Sequence, residues 1–305
     1  MGKRRKLALK AAVAAVRTSV LLALAVAGGA AATGAGAGGA GASPAPAPVE
    51  YYLDLGGSAS VGFQPTAAHP DGQPTDSGYA NDLLTIERAR WPGLHLVELG
   101  CPGQTTGTFL NGGDPCRPAG QTQLSQAVAF LRTHPDTVLV TIDLGFNDIR
   151  RCLVLDTIDQ ACLTQGLDLI AQQLPPILAT LRAAAGPSVR LVGVAHYDPY
   201  LGAYLQGGPA LDFADDSVAA IAQLNDTLHA IYAAARVPVA NVAQAFGMDQ
   251  SKPEELAGVG DVPRNVQRAC ALTWMCTSSS PQAKQHPNDA GYQVIAQAIA
   301  AAIPA

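Results

Sequence analysis

The sequence predicts an α/β fold, a three-layer α/β/α sandwich around a five-stranded parallel sheet. From Val49 to the end of the chain, short apolar runs alternate with longer segments in which apolar residues recur at helical spacing. The short runs are apolar almost throughout, which is typical of strands that helices cover on both faces. No internal repeat is visible, so we expect a single domain.

The predicted strands position the other elements of the domain. Short apolar runs bounded by glycine, proline or polar residues predict strands at 49–55, 94–99, 138–144, 189–195 and, more weakly, 237–242. Apolar residues at helical spacing predict helices at 79–90, 122–133, 167–185, 216–235 and 290–303. In a parallel sheet the loops after the strands gather at one edge, so we expect functional groups there.

The first 48 residues predict export. A basic start at Lys3–Lys6 precedes an apolar segment, and small-residue sites such as Ala25-Val26-Ala27 and Ala40-Gly41-Ala42 follow it. We therefore predict an export signal at 1–42, a Pro/Ala-rich spacer at 43–48 and the folded domain at 49–305, giving a secreted, extracellular protein. A retained N-terminal anchor is the alternative. The Sec route is favoured over twin-arginine export, because the residues flanking Arg4-Arg5 match that pattern poorly.

Charge and cysteine content narrow the function classes. A formal net charge of -5 on 305 residues offers no basic surface for nucleic acid. The six cysteines form three sequence-local couples, and exported cysteines usually pair. Proximity predicts three disulfides among the 15 pairings that six cysteines allow: Cys101–Cys116, Cys152–Cys162 and Cys270–Cys276. Metal binding is the competing interpretation, but no Cys-x-x-Cys or His-x-x-x-His spacing is present.

The loops after the predicted strands carry the candidate chemistry. Ser58 stands on a glycine-flanked turn after the first strand, where its hydroxyl would be exposed to a base. Taken alone, it could equally be a serine that caps the next segment. Gly103, Asn147 and His196 follow the next three strands, and His286 precedes the last helix. The two histidines are the candidate bases at this edge.

These loops together resemble the sequence blocks of the SGNH hydrolases, also called GDSL esterases and lipases, and in particular secreted actinobacterial members. Ser58, Gly103, Asn147 and His286 occupy the four blocks in order. The resemblance implies a flavodoxin-like fold and hydrolysis of carboxylic esters without a metal or organic cofactor. It assigns Ser58 as nucleophile, His286 as base, and the Ser58 N–H, Gly103 N–H and Asn147 amide as the oxyanion hole. We expect a monomer that acts on a small-molecule or lipid ester and makes transient contact with lipid surfaces.

Two positions depart from the family pattern. Gly57 stands where the family has an Asp before the nucleophile, and Ala283 stands where many members have the triad Asp. We therefore expect a Ser–His dyad, with the carbonyl of Lys284 or Ala283 orienting His286. Asp54 and Asp143 are alternative sources of charge, although structural pairing is the favoured role for both, and Asp198 is expected to shape its loop.

The departures leave a second function open. A weakened or inactive protein of the same fold that binds lipid or glycan would also keep this pattern. The ester class is open as well. Apolar residues after Asn147 predict either an acyl groove or core beneath the Cys152–Cys162 bridge, and core is the favoured interpretation: Ile149, Leu153, Val154 and Leu155.

Overall fold

The computed structural model describes residues 47–154 and 157–305. The predicted export signal and most of the predicted spacer lie outside the described residues, as does Leu155. The described residues form one compact unit. Within the described part of the chain, no helix has both the length and the apolar character needed to cross a bilayer.

The central sheet is parallel throughout, as predicted. The described strands are β1 Glu50–Gly56, β2 Leu94–Glu98, β3 Thr137–Asp143, β4 Leu153–Val154, β5 Thr157–Ile158, β6 Arg190–Val194, β7 Val239–Ala240, β8 Pro253–Leu256 and β9 Gly260–Pro263. The five-stranded sheet has the order β2-β1-β3-β6-β7, and the remaining strands form two small antiparallel pairs, β4–β5 and β8–β9. Along the chain, the strands are added on one side of β1 and then on the other, so the strand order reverses between β1 and β3. Open α/β sheets bind ligands at such a point.

Helices cover both faces of this sheet. They are α1 Tyr79–Glu87, α2 Thr106–Asn111, α3 Gln123–Thr133, α4 Phe146–Ile149, α5 Gln160–Ala185, α6 Pro209–Ala234, α7 Val242–Ala245, α8 Arg264–Leu272, α9 Pro281–Lys284 and α10 Asp289–Ala302, with 3₁₀ turns at Arg150–Cys152 and Leu201–Gln206. On β1, Leu53 and Leu55 join the core that includes α3, α5 and α6, whereas Tyr52 joins the core that includes α1 and α10. Burial of alternate residues on opposite faces gives the predicted three layers.

The predicted elements are present, but their ends and one region differ. Helix α5 begins at Gln160 rather than 167 because the Asp159 carboxylate caps it, accepting a hydrogen bond from the Cys162 N–H at 3.0 Å. Strand β7 has only two residues. The sequence did not predict the β8–β9 hairpin, which is largely charged and exposed and carries no apolar run. It also did not predict helix α8, in which Val266, Ala269 and Leu272 are buried at helical spacing over only nine residues.

All three predicted disulfides are present. Cys101–Cys116 closes the loop after β2, and Cys152–Cys162 joins the turn after α4 to the start of α5. Cys270–Cys276 joins α8 to the segment that leads toward His286. The three bridges therefore each restrain a connection near the carboxyl edge of the sheet.

Candidate active site

A cavity opens at the carboxyl edge of the sheet, where the loops were expected to meet. Its volume is about 510 Å³ with the open mouth included. Its walls come from the loops after β1, β2, β3 and β6 and from the segment between α9 and α10: Gly57, Ser58, Ala59, Gln104, Asp143, Gly145, Phe146, Asn147, Arg150, His196, Tyr197, Pro199, Gln285 and His286. Four other segments of the chain therefore converge on the loop that carries Ser58.

The turn that carries Ser58 is held by a side chain the sequence did not single out. Gln123, fully buried on α3, accepts a hydrogen bond from the Gly56 N–H at 2.7 Å and donates one to the Gly56 carbonyl at 3.1 Å. The Ser60 hydroxyl donates to the Gly57 carbonyl at 2.9 Å, and the Phe63 N–H donates to the Ser58 carbonyl at 3.0 Å. These bonds fix the turn without the family's Asp at position 57.

Ser58 and His286 are in hydrogen-bond contact. Ser58 Oγ lies 2.7 Å from His286 Nε2, and His286 Nδ1 lies 2.8 Å from the carbonyl oxygen of Gln282. A carbonyl only accepts, so Nδ1 carries the hydrogen and Nε2 presents its lone pair to the serine hydroxyl. This is the tautomer that a general base requires.

The carbonyl that orients His286 is not the one expected. Lys284 and Ala283 were the predicted acceptors, but the Gln282 carbonyl takes this place because it belongs to the short helix α9. The last carbonyls of a helix have no partner within the helix, so they point toward the following residues and accept from them. The Ala283 carbonyl instead accepts from the His286 backbone N–H at 3.0 Å.

The surroundings of His286 disfavour its charged form. The pKa of His286 is lowered to about 4, mainly by burial and in addition by the Arg150 guanidinium, while the Gln282 and Ala283 carbonyls act in the opposite direction. The Phe63 ring lies against the imidazole, with ring centroids 4.6 Å apart. His286 is therefore neutral and able to accept a proton over a wide pH range, but the imidazolium formed during reaction is costly.

Asn147 lies beside the serine turn because position 57 has no side chain. Its Nδ2 donates to the Gln104 carbonyl at 3.1 Å, which leaves the second amide hydrogen unused by that bond. A Cβ atom on Gly57 would lie 2.9 Å from Asn147 Nδ2. The glycine that departs from the family pattern thus makes room for the Asn147 amide.

Gly103 is near the cavity but does not line it. It is exposed and has a φ of 82°, a left-handed conformation that favours glycine, while the following residue, Gln104, lines the cavity. Among the residues that the structure describes, neither the Ser58 N–H nor the Gly103 N–H donates a hydrogen bond. Within this part of the chain, both N–H groups therefore remain available to donate to a ligand.

The carboxylates considered as orienters do not reach His286. Asp143 Oδ1 faces the other histidine of this edge, 3.6 Å from His196 Nδ1. Asp54 accepts from buried hydroxyl groups, including Tyr79 at 3.0 Å. Asp198 accepts from the Tyr200 N–H and the Ser217 hydroxyl, each at 2.8 Å, which fits its expected role in shaping the loop.

Two other expectations concern residues outside the cavity. Ile149 and Leu153 are buried in the core around α5, which agrees with the core interpretation, whereas Val154 is 62% exposed.

Within the described ranges, the single group of candidate metal ligands is Cys101, Asp114 and Cys116. Its two sulfur atoms are joined in a disulfide, so they are not the thiolates that bind metal ions.

Comparisons with known proteins agree with this architecture. No curated protein sequence matches the chain. An extracellular lipase from Streptomyces rimosus has a TM-score of 0.55 and 19% identity over 83% of this chain and 100% of its own. The lipase Lip_vut3 from a goat rumen metagenome has a TM-score of 0.53 and 16% identity over 83% of this chain and 97% of its own. At these identities the two structures show a shared fold.

The sequence family is established by a profile match that spans most of the domain. The profile of the GDSL-like Lipase/Acylhydrolase family matches residues 55–294, a range that includes all four blocks. Membership supports a hydrolase that acts on ester substrates. On this evidence the chain belongs to the GDSL-like lipase/acylhydrolase family.

Proposed function

We propose that this protein is a secreted serine esterase or lipase that hydrolyses carboxylic esters through a Ser58–His286 dyad. The observation that carries the proposal is the 2.7 Å contact between Ser58 Oγ and His286 Nε2, with Nδ1 bonded to a carbonyl. An unassisted serine hydroxyl is a weak nucleophile, and a neutral imidazole in this tautomer activates it.

The chemistry follows from this contact. Ser58 Oγ attacks the ester carbonyl carbon while His286 Nε2 takes the hydroxyl proton, and the carbonyl electrons move to oxygen. The tetrahedral intermediate collapses, the ester C–O bond breaks, and the leaving alkoxide takes the proton from Nε2. A water molecule then attacks the acyl-serine with the same base, which releases the acid and restores Ser58.

The oxyanion is stabilised by donors around the serine turn. We assign this role to the N–H groups of Ser58 and Gly103 and to the Asn147 amide, the three donors that the family pattern implies. The assignment is supported because the two N–H groups donate to no other group among the described residues. In addition, one Asn147 amide hydrogen is not used in the bond to the Gln104 carbonyl. Donors that are already oriented before reaction stabilise developing charge without a cost of reorganisation.

The carbonyl at Nδ1 supports a dyad rather than a triad. It orients the imidazole as a carboxylate would, but it supplies only a partial charge to stabilise the imidazolium. Together with the burial of His286, this favours an enzyme of modest turnover.

Export is part of the proposal and rests on the N-terminal pattern at 1–42. The three disulfides support it, because disulfides persist in oxidising compartments.

A fluorophosphonate that labels active serines tests the proposal. We expect the mature protein to be labelled and to hydrolyse 4-nitrophenyl acetate, and Ser58→Ala to lose both activities. Ser188→Ala, at an exposed serine in the turn before β6, serves as the control and should keep both.

One observation favours a second candidate, a non-catalytic protein that binds lipid or glycan: no carboxylate bonds His286 among the residues described. A folded protein that neither reacts with the fluorophosphonate nor hydrolyses the ester would support that candidate and overturn the proposal.

A further inference from the structure

A second titratable pair lines the cavity and has no part in the dyad chemistry. The side chains of Asp143 and His196 are 7% and 11% exposed, and Nδ1 of His196 lies 3.6 Å from Asp143 Oδ1. Asp143 ends β3, and His196 follows β6, its neighbour in the sheet. The pair therefore stands on the sheet itself, where its position is fixed by strands rather than by mobile loops.

His196 is held rigidly. Its backbone N–H donates to Asn225 Oδ1, and its carbonyl accepts from Asn225 Nδ2, each at 2.8 Å. Its Nε2 donates to the Leu144 carbonyl at 3.3 Å, which leaves Nδ1 directed toward Asp143. The backbone of His196 is thus held at both its N–H and its carbonyl, and the imidazole cannot turn away from the carboxylate without losing its bond to Leu144.

Asp143 differs from the other buried carboxylates of this sheet edge. Asp148 accepts from the Thr106 N–H and hydroxyl, and Asp198 accepts from the Tyr200 N–H and the Ser217 hydroxyl. Within the described residues, no group donates a hydrogen bond to the Asp143 carboxylate, since 3.6 Å to His196 exceeds hydrogen-bond length. Buried carboxylates normally have their acceptor sites filled, so a carboxylate with open sites in a cavity is suited to a ligand's donor.

The rest of the cavity wall mixes polar and apolar residues, and it includes a second charged side chain. Arg150 reaches it from the 3₁₀ turn after α4, where its guanidinium donates to Gln285 Oε1 at 3.3 Å. An alkyl chain that entered here would remove water from Asp143 without replacing its hydrogen bonds, which is costly for a charged group. A hydroxyl group would instead donate to the carboxylate.

We propose that the Asp143–His196 pair is a specificity determinant that selects esters bearing a hydroxyl group close to the ester bond and rejects long alkyl chains. This inference rests on the proposed esterase function, because it concerns the substrate of the same cavity. The hydroxyl donates to Asp143, and the His196 imidazole forms the wall of the site beside the carboxylate, 3.6 Å away. Selection of this kind is strong. When a substrate analogue without the hydroxyl group binds, the buried carboxylate is left without a hydrogen-bond partner.

Matched esters test the inference on either side of the ester bond. One pair is 4-nitrophenyl 3-hydroxybutyrate and 4-nitrophenyl butyrate, and the other is 2-hydroxyethyl acetate and propyl acetate. In at least one pair we expect the parent to prefer the hydroxyl compound in kcat/KM, and Asp143→Asn to reduce that preference about tenfold. Asp143→Asn should also raise kcat/KM for 4-nitrophenyl octanoate relative to the acetate.

Glu98→Gln is the matched control, because Glu98 lies at the end of β2 on the same sheet edge but does not line the cavity. We expect its hydroxyl preference to equal that of the parent. Fluorophosphonate labelling of Asp143→Asn verifies that the variant is folded and that Ser58 still reacts.

A preference that is absent in the parent, or unchanged in Asp143→Asn, would overturn the inference. If Ser58-dependent labelling persists in that case, the proposed esterase function stands and only the specificity assignment fails. If labelling is absent from the parent, the esterase proposal itself fails.

Discussion

Two histidines at the same sheet edge differ in what each of their ring nitrogens contacts. His286 bonds Ser58 through Nε2 and a backbone carbonyl through Nδ1, whereas His196 faces the Asp143 carboxylate through Nδ1 and the Leu144 carbonyl through Nε2. The histidine with a carboxylate is thus not the one that contacts the serine.

This difference separates two tasks that a catalytic triad combines. At His286 the carbonyl orients the imidazole without a full negative charge, so an imidazolium formed there would be poorly stabilised. At His196 the carboxylate is available, but the serine is not. In the proposed function the first histidine transfers protons, and the second lies beside the carboxylate that binds substrate.

Replacing the two histidines in turn should give the largest difference in activity between two variants. We expect His286→Ala to lose about 10⁴-fold or more in kcat, because Ser58 then has no base. We expect His196→Ala to lose about tenfold or less on 4-nitrophenyl acetate, an ester without a hydroxyl group. Steady-state kinetics on both variants, each verified as folded by its thermal melting curve, measure the contrast. A larger loss in His196→Ala than in His286→Ala would reverse the assignment.

The Asn147 amide gives the next largest expected effect. Removing a single oxyanion donor costs about 10²–10³-fold in kcat in other serine hydrolases, and we expect Asn147→Ala to behave in the same way, with a smaller change in KM. Asn111→Ala is a control, because Asn111 is an exposed residue at the end of α2. An Asn147→Ala variant with parent kcat would remove Asn147 from the oxyanion hole.

Gly57→Ala should give a smaller loss that depends on Asn147. The added Cβ would lie 2.9 Å from Asn147 Nδ2 and would push the amide away, so we expect about a tenfold fall in kcat. In the Asn147→Ala background the same substitution should have little further effect, since the displaced group is already absent. Equal losses in both backgrounds would show that Gly57 acts on the Ser58 turn itself.

The sequence was sufficient to predict the sheet, its flanking helices and the three disulfides, because each depends on local apolar patterns or on nearby cysteines. Ser58, Asn147 and His286 were named from their blocks, and the structure brings them to one cavity. Gly103 lies at the cavity's border, and the catalytic roles of all four residues stay predictions.

The missed features depend on contacts between distant parts of the chain. Gln123 bonds Gly56 across 67 positions, and nothing in the sequence around α3 marks that glutamine as a support for the serine turn. The Gln282 carbonyl became the orienter of His286 because residues 281–284 form a turn of helix, which four residues of sequence do not reveal. Likewise, only the placement of β3 beside β6 shows that the Asp143 carboxylate faces the cavity and accepts no hydrogen bond from the described residues.

The pH dependence of kcat/KM tests the central claim, that a buried His286 held by a carbonyl is the base. Burial lowers the pKa of His286 to about 4, so protonation removes the base only below that value, and kcat/KM should fall with a midpoint near pH 4 as the pH is lowered. The limb should persist in Asp143→Asn and in His196→Gln, which excludes titration of the second pair as its source. A midpoint near the ordinary histidine value of about 6.5, shifting when His196 is replaced, would contradict the account.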